Sequence, residues 1–189
     1  MTFWDWRRGS GATMTNGSAA LAVPTDLAPI ELYTADTRIV GWIAPNGRRV
    51  TDLLNEQTEL RLWRPHPGPI DATDQPAGGP ESTGDWYSLS SASVVLAMPP
   101  EWRASRQLRL HRRLRRVAVH AGPFSVTGNV HIPPGAEAGP HLLRGAGRFL
   151  PLTDAHILHA GEPPFEHVVS VVIINADHVT QIVPLISLA

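Results

Sequence analysis

The chain has 189 residues, no cysteine, and 16 basic against 17 acidic side chains, for a formal net charge of −1. This composition excludes disulfides and thiolate metal sites, and it leaves no global field to draw the chain to nucleic acid or an anionic membrane. No apolar run approaches the roughly 20 residues that span a bilayer, so the expectation is a soluble cytoplasmic protein.

Residues 1–28 are rich in Gly, Ser, Thr and Ala and keep neither a strand nor a helix period. They read as a disordered or loosely docked arm without the layout of a signal peptide, and Met14 is an alternative start. From Ile30 the pattern changes. Two short alternating runs meet at residues 34–37 and stop at Pro45, Asn46 and Gly47, which predicts a strand pair followed by a tight Asn-Gly turn. Residues 51–63 predict one helical turn capped by Thr51, with Leu53 and Leu54 tucked beneath, and then a strand. Residues 65–84 are Pro- and Gly-rich and predict a long surface loop. A strand pattern resumes over residues 86–98.

The same order then recurs. Laid without a gap over residues 117–130, residues 30–43 bring Ile30 onto Val117, Leu32 onto Val119, Ile39 onto Val126, Gly41 onto Gly128 and Ile43 onto Val130, a constant offset of 87. Later in the units Leu89 falls on Leu152, Ala92 on Ala155 and Val94 on Ile157 at an offset of 63, which assigns the first unit about 24 extra residues. The strongest strand signal, residues 167–183, holds two strand lengths with Asn175, Ala176 and Asp177 as the turn between them. Such a repeat demands the same supersecondary structure twice. The expected organisation is an arm (1–28), a first repeat (29–114) and a second (115–189).

Several short strands per unit, a glycine inside the second strand and no long amphipathic helix predict an all-β protein of two small, strongly bent barrels in tandem. Gly41 and Gly128, the LTDA run at residues 152–155 and the VVIINADHV run resemble Sm-like domains. The order is also similar to that of bacterial two-repeat proteins carrying a YT…RI.G.I…R.TDLLN signature. The resemblance implies RNA binding through a polar residue after the third strand and an Arg-Gly step in a late turn. Here that late turn holds Asn175, Ala176, Asp177 and His178, so an acid replaces the cation.

Chemistry is sparse. There is no nucleophile elbow, no lysine for a Schiff base and no spaced glycine loop for a phosphate. His156, His159, Glu162 and His167 invite a zinc hypothesis, but on a strand residues three apart face opposite sides. The one concentrated feature is a run of seven arginines without an acid: Arg103, Arg106, Arg109, Arg112, Arg113, Arg115 and Arg116. It reads as a nucleic-acid or partner-binding stripe, or as the solvent face of a strand whose Leu108, Leu110, Leu114, Val117 and Val119 point inward. The functional expectation is a non-catalytic module, without cofactor or metal, that binds a protein partner or itself through exposed sheet edges. RNA binding through the arginines is the alternative, and a metal-dependent enzyme stands last.

Overall fold

The computed structural model describes residues 14–16, 26–73, 80, 83–100, 113–132, 147–161 and 164–185. Eleven strands run in chain order: β1 (Met14–Asn16), β2 (Ala28–Tyr33), β3 (Arg38–Ile43), β4 (Glu59–Gly68), β5 (Trp86–Ser90), β6 (Leu96–Met98), β7 (Arg113–Ala121), β8 (Phe124–Ile132), β9 (Phe149–His159), β10 (Phe165–Asn175) and β11 (Val179–Pro184). A seven-residue helix α1 (Val50–Glu56) joins β3 to β4, and 3-10 turns at Ser91–Ser93 and Ala176–His178 precede β6 and β11.

All strands pair antiparallel in one sheet of order β1-β5-β4-β3-β2-β6-β10-β9-β8-β7-β11. Counted within each half, β2–β6 and β7–β11 have the same spatial order, fourth-third-second-first-fifth. The all-β expectation holds, but two closed barrels are not what forms. The fifth strand of the first half, β6, pairs with β10, the fourth strand of the second half, so neither half closes on itself.

Why the shared strands can join two halves follows from their alternation. Successive side chains on a strand face opposite sides. On β10, Val171 and Ile173 enter the core of the first half, while Val172 and Ile174 enter the core of the second. On β6, Ala97 faces the first core and Leu96 and Met98 the second. These segments are apolar without interruption because both faces are covered, and residues 171–175 are buried at every position.

The two halves also share a backbone irregularity. The β3–β4 ladder is interrupted between Val40 and Trp42, and the β8–β9 ladder between Thr127 and Asn129. Gly41 and Gly128 occupy these bulges, and opposite them Arg64 and Asp154 share a left-handed φ of 48°. A Cβ on Gly41 would lie 3.2 Å from the Pro65 Cα. On Gly128 it would lie 3.1 Å from the Leu152 Cβ and 3.2 Å from the Thr153 carbonyl oxygen. Glycine is needed at both places because the neighbouring strand backbone crosses close overhead.

At the offset of 87 strands of equal rank and the two bulge glycines coincide, whereas at the offset of 63 strands of different rank do. Leu89 lies on β5, a fourth strand, and Leu152 on β9, a third. The counterpart of Leu89 is Ile174, since Ser90 and Asn175 both precede a 3-10 turn and accept a hydrogen bond from the amide two residues on.

Local signals behave as their chemistry dictates. Asn46 and Gly47 take φ of 51° and 75°, and the Arg48 amide donates to the Pro45 carbonyl at 3.0 Å, closing the expected tight turn. Leu53 and Leu54 are buried under α1, but Arg49 holds the N-cap position and Thr51 lies inside the helix, so Thr51 is no cap. The predicted loop starts late, because β4 continues through Gly68. Of the arm, Met14–Asn16 is a strand paired with β5. Among the described residues no helix is long and apolar enough to cross a membrane.

Candidate functional site

The seam between the halves shows what an occupied edge of this sheet looks like. Tyr33 leaves β2 to enter the second core, where its ring meets Phe124 edge-on and Phe165 at a tilt, both at 5.6 Å between centroids. Its hydroxyl donates to the Glu31 carboxylate, which also accepts from the Arg38 Nε at 2.6 Å. Burial and the adjacent Glu31 carboxylate push the Tyr33 phenol far above its ordinary range. Burial disfavours the Arg38 charge, but Glu31 outweighs it and Arg38 stands above its ordinary value. Tyr33 and Arg38 are thus buried at the seam and paired with a half-buried Glu31, which limits the cost of desolvating them.

Two amides complete the seam. Asn55 on α1 donates to the Phe149 carbonyl at 3.1 Å and accepts from the Phe149 amide at 2.7 Å. Asn175, fully buried, donates to the carbonyls of Val94 at 2.8 Å and Ser91 at 3.3 Å. Both satisfy backbone groups of the opposite half that would otherwise be orphaned.

At the far end of the sheet the counterpart surface carries no further strand among the described residues. β11 pairs with β7 on one side and has no described strand on the other. Val183 is 39% exposed, where its counterpart Met98 at the seam is 7% exposed. Leu185 and Leu114 are also exposed, and pairing across β7 and β11 places all three on one side of the sheet. At the opposite end, β5 pairs with β4 on one side and with the three-residue β1 on the other, and the buried indole N–H of Trp86 on β5 has no hydrogen-bond acceptor among the described residues. These two ends are the edges that sequence reasoning anticipated only in general terms.

The arginine run resolves unevenly. Arg103, Arg106, Arg109 and Arg112 lie outside the described residues. Arg113, Arg115 and Arg116 lie on β7 and are exposed, with Arg113 and Arg115 on one face and Arg116 on the other. Leu114, expected to point inward, is 51% exposed. It sits three residues before the buried Val117, a spacing that reverses the face on a strand.

Among the described residues the histidines do not converge, and Glu162 lies outside those residues. His156 contacts Glu166 at 2.6 Å, His131 contacts Thr153 at 3.2 Å, and His167 stacks on Phe165. Among the described residues no group of three or more His, Asp or Glu side chains is arranged to hold a metal. An open cavity of about 280 Å³ lies where β10 runs past the end of β6, walled by Pro29, Met98, Pro99, Pro100 and Val169. The Glu31 carboxylate at its rim is already engaged by Tyr33 and Arg38. No protein-family model matches the chain, and no curated protein or solved structure compared with it does either.

Proposed function

We propose that this protein is a non-catalytic assembly module that recruits a protein chain by strand addition at the β11 edge. The observation that carries the reading is the contrast between equivalent strands. β6 is wholly buried because β10 pairs with it, while β11 has no second partner strand among the described residues and is flanked by exposed Val183, Leu185 and Leu114. An open strand with apolar neighbours offers backbone hydrogen bonds for affinity and side-chain contacts for specificity. The Sm-like relationship belongs to this proposal, supported by the bulge glycine in the second strand of each half and the polar turn before each fifth strand.

The reading is tested with a photoreactive amino acid placed at Val183 and, as a control, at exposed Asn46. Crosslinks to protein specific to position 183 support it. Equal or absent crosslinking at the two positions overturns it.

A second reading, nucleic-acid binding, is favoured by the exposure of all three described arginines of the run, Arg113, Arg115 and Arg116. Each phosphate contact there would add salt-dependent affinity.

A further inference from the structure

We propose that Trp42, Trp63 and Trp86 form a binding site for an acidic, proline-rich peptide in extended conformation, and that Pro80 of the same chain holds one of its hydrogen-bonding places. The site lies on the first half, away from β11, and stands whether or not a strand is added there.

Strand register builds the site. Trp42 on β3 lies opposite Trp63 on β4, and Trp63 lies opposite Trp86 on β5, so the three indoles form one row across neighbouring strands. In the second half the corresponding places hold Asn129, Thr153 and Val171, again opposite one another. Leu60 and Leu62 on β4 enter the first core, so Trp63, one residue on, faces the outer side of the sheet. Trp63 and Trp86 are only 3% and 6% exposed, yet they belong to neither core. Their cover comes from outside the sheet.

Two covering groups show the chemistry that fits. The Trp63 indole N–H donates to the Pro80 carbonyl at 3.0 Å, and Pro80 belongs to the Pro- and Gly-rich stretch 65–84. Arg61, exposed on β4, holds its guanidinium 5.1 Å from the centre of the Trp86 ring. A proline-rich segment in the polyproline II conformation makes no internal hydrogen bonds, so its carbonyls remain free to accept from indole N–H groups while its rings pack on the indole faces. The Arg61 cation favours an acid beside those prolines. The chain carries this combination itself, since Glu81 follows Pro80 in the sequence.

Trp86 leaves the site half filled. Its indole N–H is buried and has no acceptor among the described residues. An unpaired buried donor costs free energy, and a row selected for packing alone has no use for it. A peptide carbonyl supplies the acceptor once the long Arg61 side chain swings off the ring. Pro80 is then a tethered competitor at the neighbouring Trp63 place.

The test titrates a capped oligoproline peptide containing one glutamate into the isotope-labelled full chain and follows the indole N–H resonances. Those of Trp63 and Trp86 should shift. Arginine in place of the glutamate should weaken binding about two- to fivefold. Replacing Trp86 by benzothienylalanine, which keeps the two-ring shape and carries sulfur where the indole has N–H, should leave the melting temperature unchanged or raised. The same replacement should weaken peptide binding about three- to tenfold, the worth of one hydrogen bond, read from the Trp63 signal. Pro80→Gly should tighten binding about two- to fivefold, because the internal competitor loses its preset backbone. Undiminished binding by the Trp86 analogue, equal binding of a glycine-serine peptide of the same length, or no indole shift at millimolar peptide overturns the proposal.

Discussion

Removing the Tyr33 side chain tests whether the seam makes the two halves one cooperative unit. The ring is 1% exposed, packs against Phe124 and Phe165, and belongs to the core of the second half although its backbone lies in the first. Tyr33→Ala leaves a cavity among residues that pack from several strands, and such truncations cost about 3–5 kcal/mol. Tyr33→Phe keeps the packing and loses only the hydroxyl bond to Glu31, which retains Arg38, so the cost should be about 1–2 kcal/mol. The six tryptophans all lie at or before residue 102, so urea unfolding followed by fluorescence reports the first half, while far-UV circular dichroism reports both. With a coupling seam, Tyr33→Ala moves both midpoints together. Two separated transitions, or a fluorescence midpoint unchanged while dichroism shifts, would refute the argument. The pH dependence has a definite sign. The folded phenol resists ionisation to higher pH than the unfolded one, which titrates near about pH 10. Its contribution is complete below that pH and falls as pH rises above it, and Tyr33→Phe should flatten that alkaline slope.

Gly128→Ala should destabilise by about 1–3 kcal/mol in chemical denaturation, because the new Cβ lies within 3.2 Å of the Thr153 carbonyl and 3.1 Å of the Leu152 Cβ. Gly41→Ala should act in the same direction at the equivalent bulge, and a stabilised variant at either site would discredit the close-approach argument. Asn175→Ala should cost about 2–4 kcal/mol, since the Val94 and Ser91 carbonyls lose a buried donor; thermal melting checks this, and a loss under about 1 kcal/mol contradicts it. For the nucleic-acid reading, Arg113, Arg115 and Arg116 replaced together by glutamine should weaken single-stranded RNA binding in a gel shift. The slope of log affinity against log salt should fall by about 2, at roughly 0.7 per single-strand phosphate no longer neutralised. Unchanged binding, or none by the native chain, removes that reading.

Much of the scaffold was legible because it depends on local rules. The offset of 87 survives because Ile30, Leu32 and Ile39 share a period of two with Val117, Val119 and Val126, and a bulge glycine follows in each copy. The Asn46-Gly47 turn and the turn at Asn175 are fixed by backbone preferences that need no partner. The offset of 63 failed because residues 88–96 and β9 both carry small residues among spaced leucines, and such patterns do not record whether a strand is third or fourth in its unit. Thr51 misleads for a related reason: a hydroxyl near a helix start resembles a cap whether it precedes the helix or lies within it. Hydrophobicity alone assigns Leu114 inward, although its phase relative to Val117 already points outward.

The candidate site was less legible than the scaffold. Exposed edges were expected, but nothing in residues 14–16 marks a strand, since three residues carry no period and their pairing with β5 depends on a segment far along the chain. Alternation, turn chemistry and the matching pattern at an offset of 87 were legible in the sequence alone, because each is set within a few residues or by comparing one stretch with another. Which edge meets which was decided only by tertiary structure. Strand pairing is made by backbone groups common to every residue, so β6 takes β10 instead of closing its own half through burial on both faces and through the Asn55 and Asn175 amides. Among the described residues the same physics puts β11 at one end of the sheet and β1 at the other.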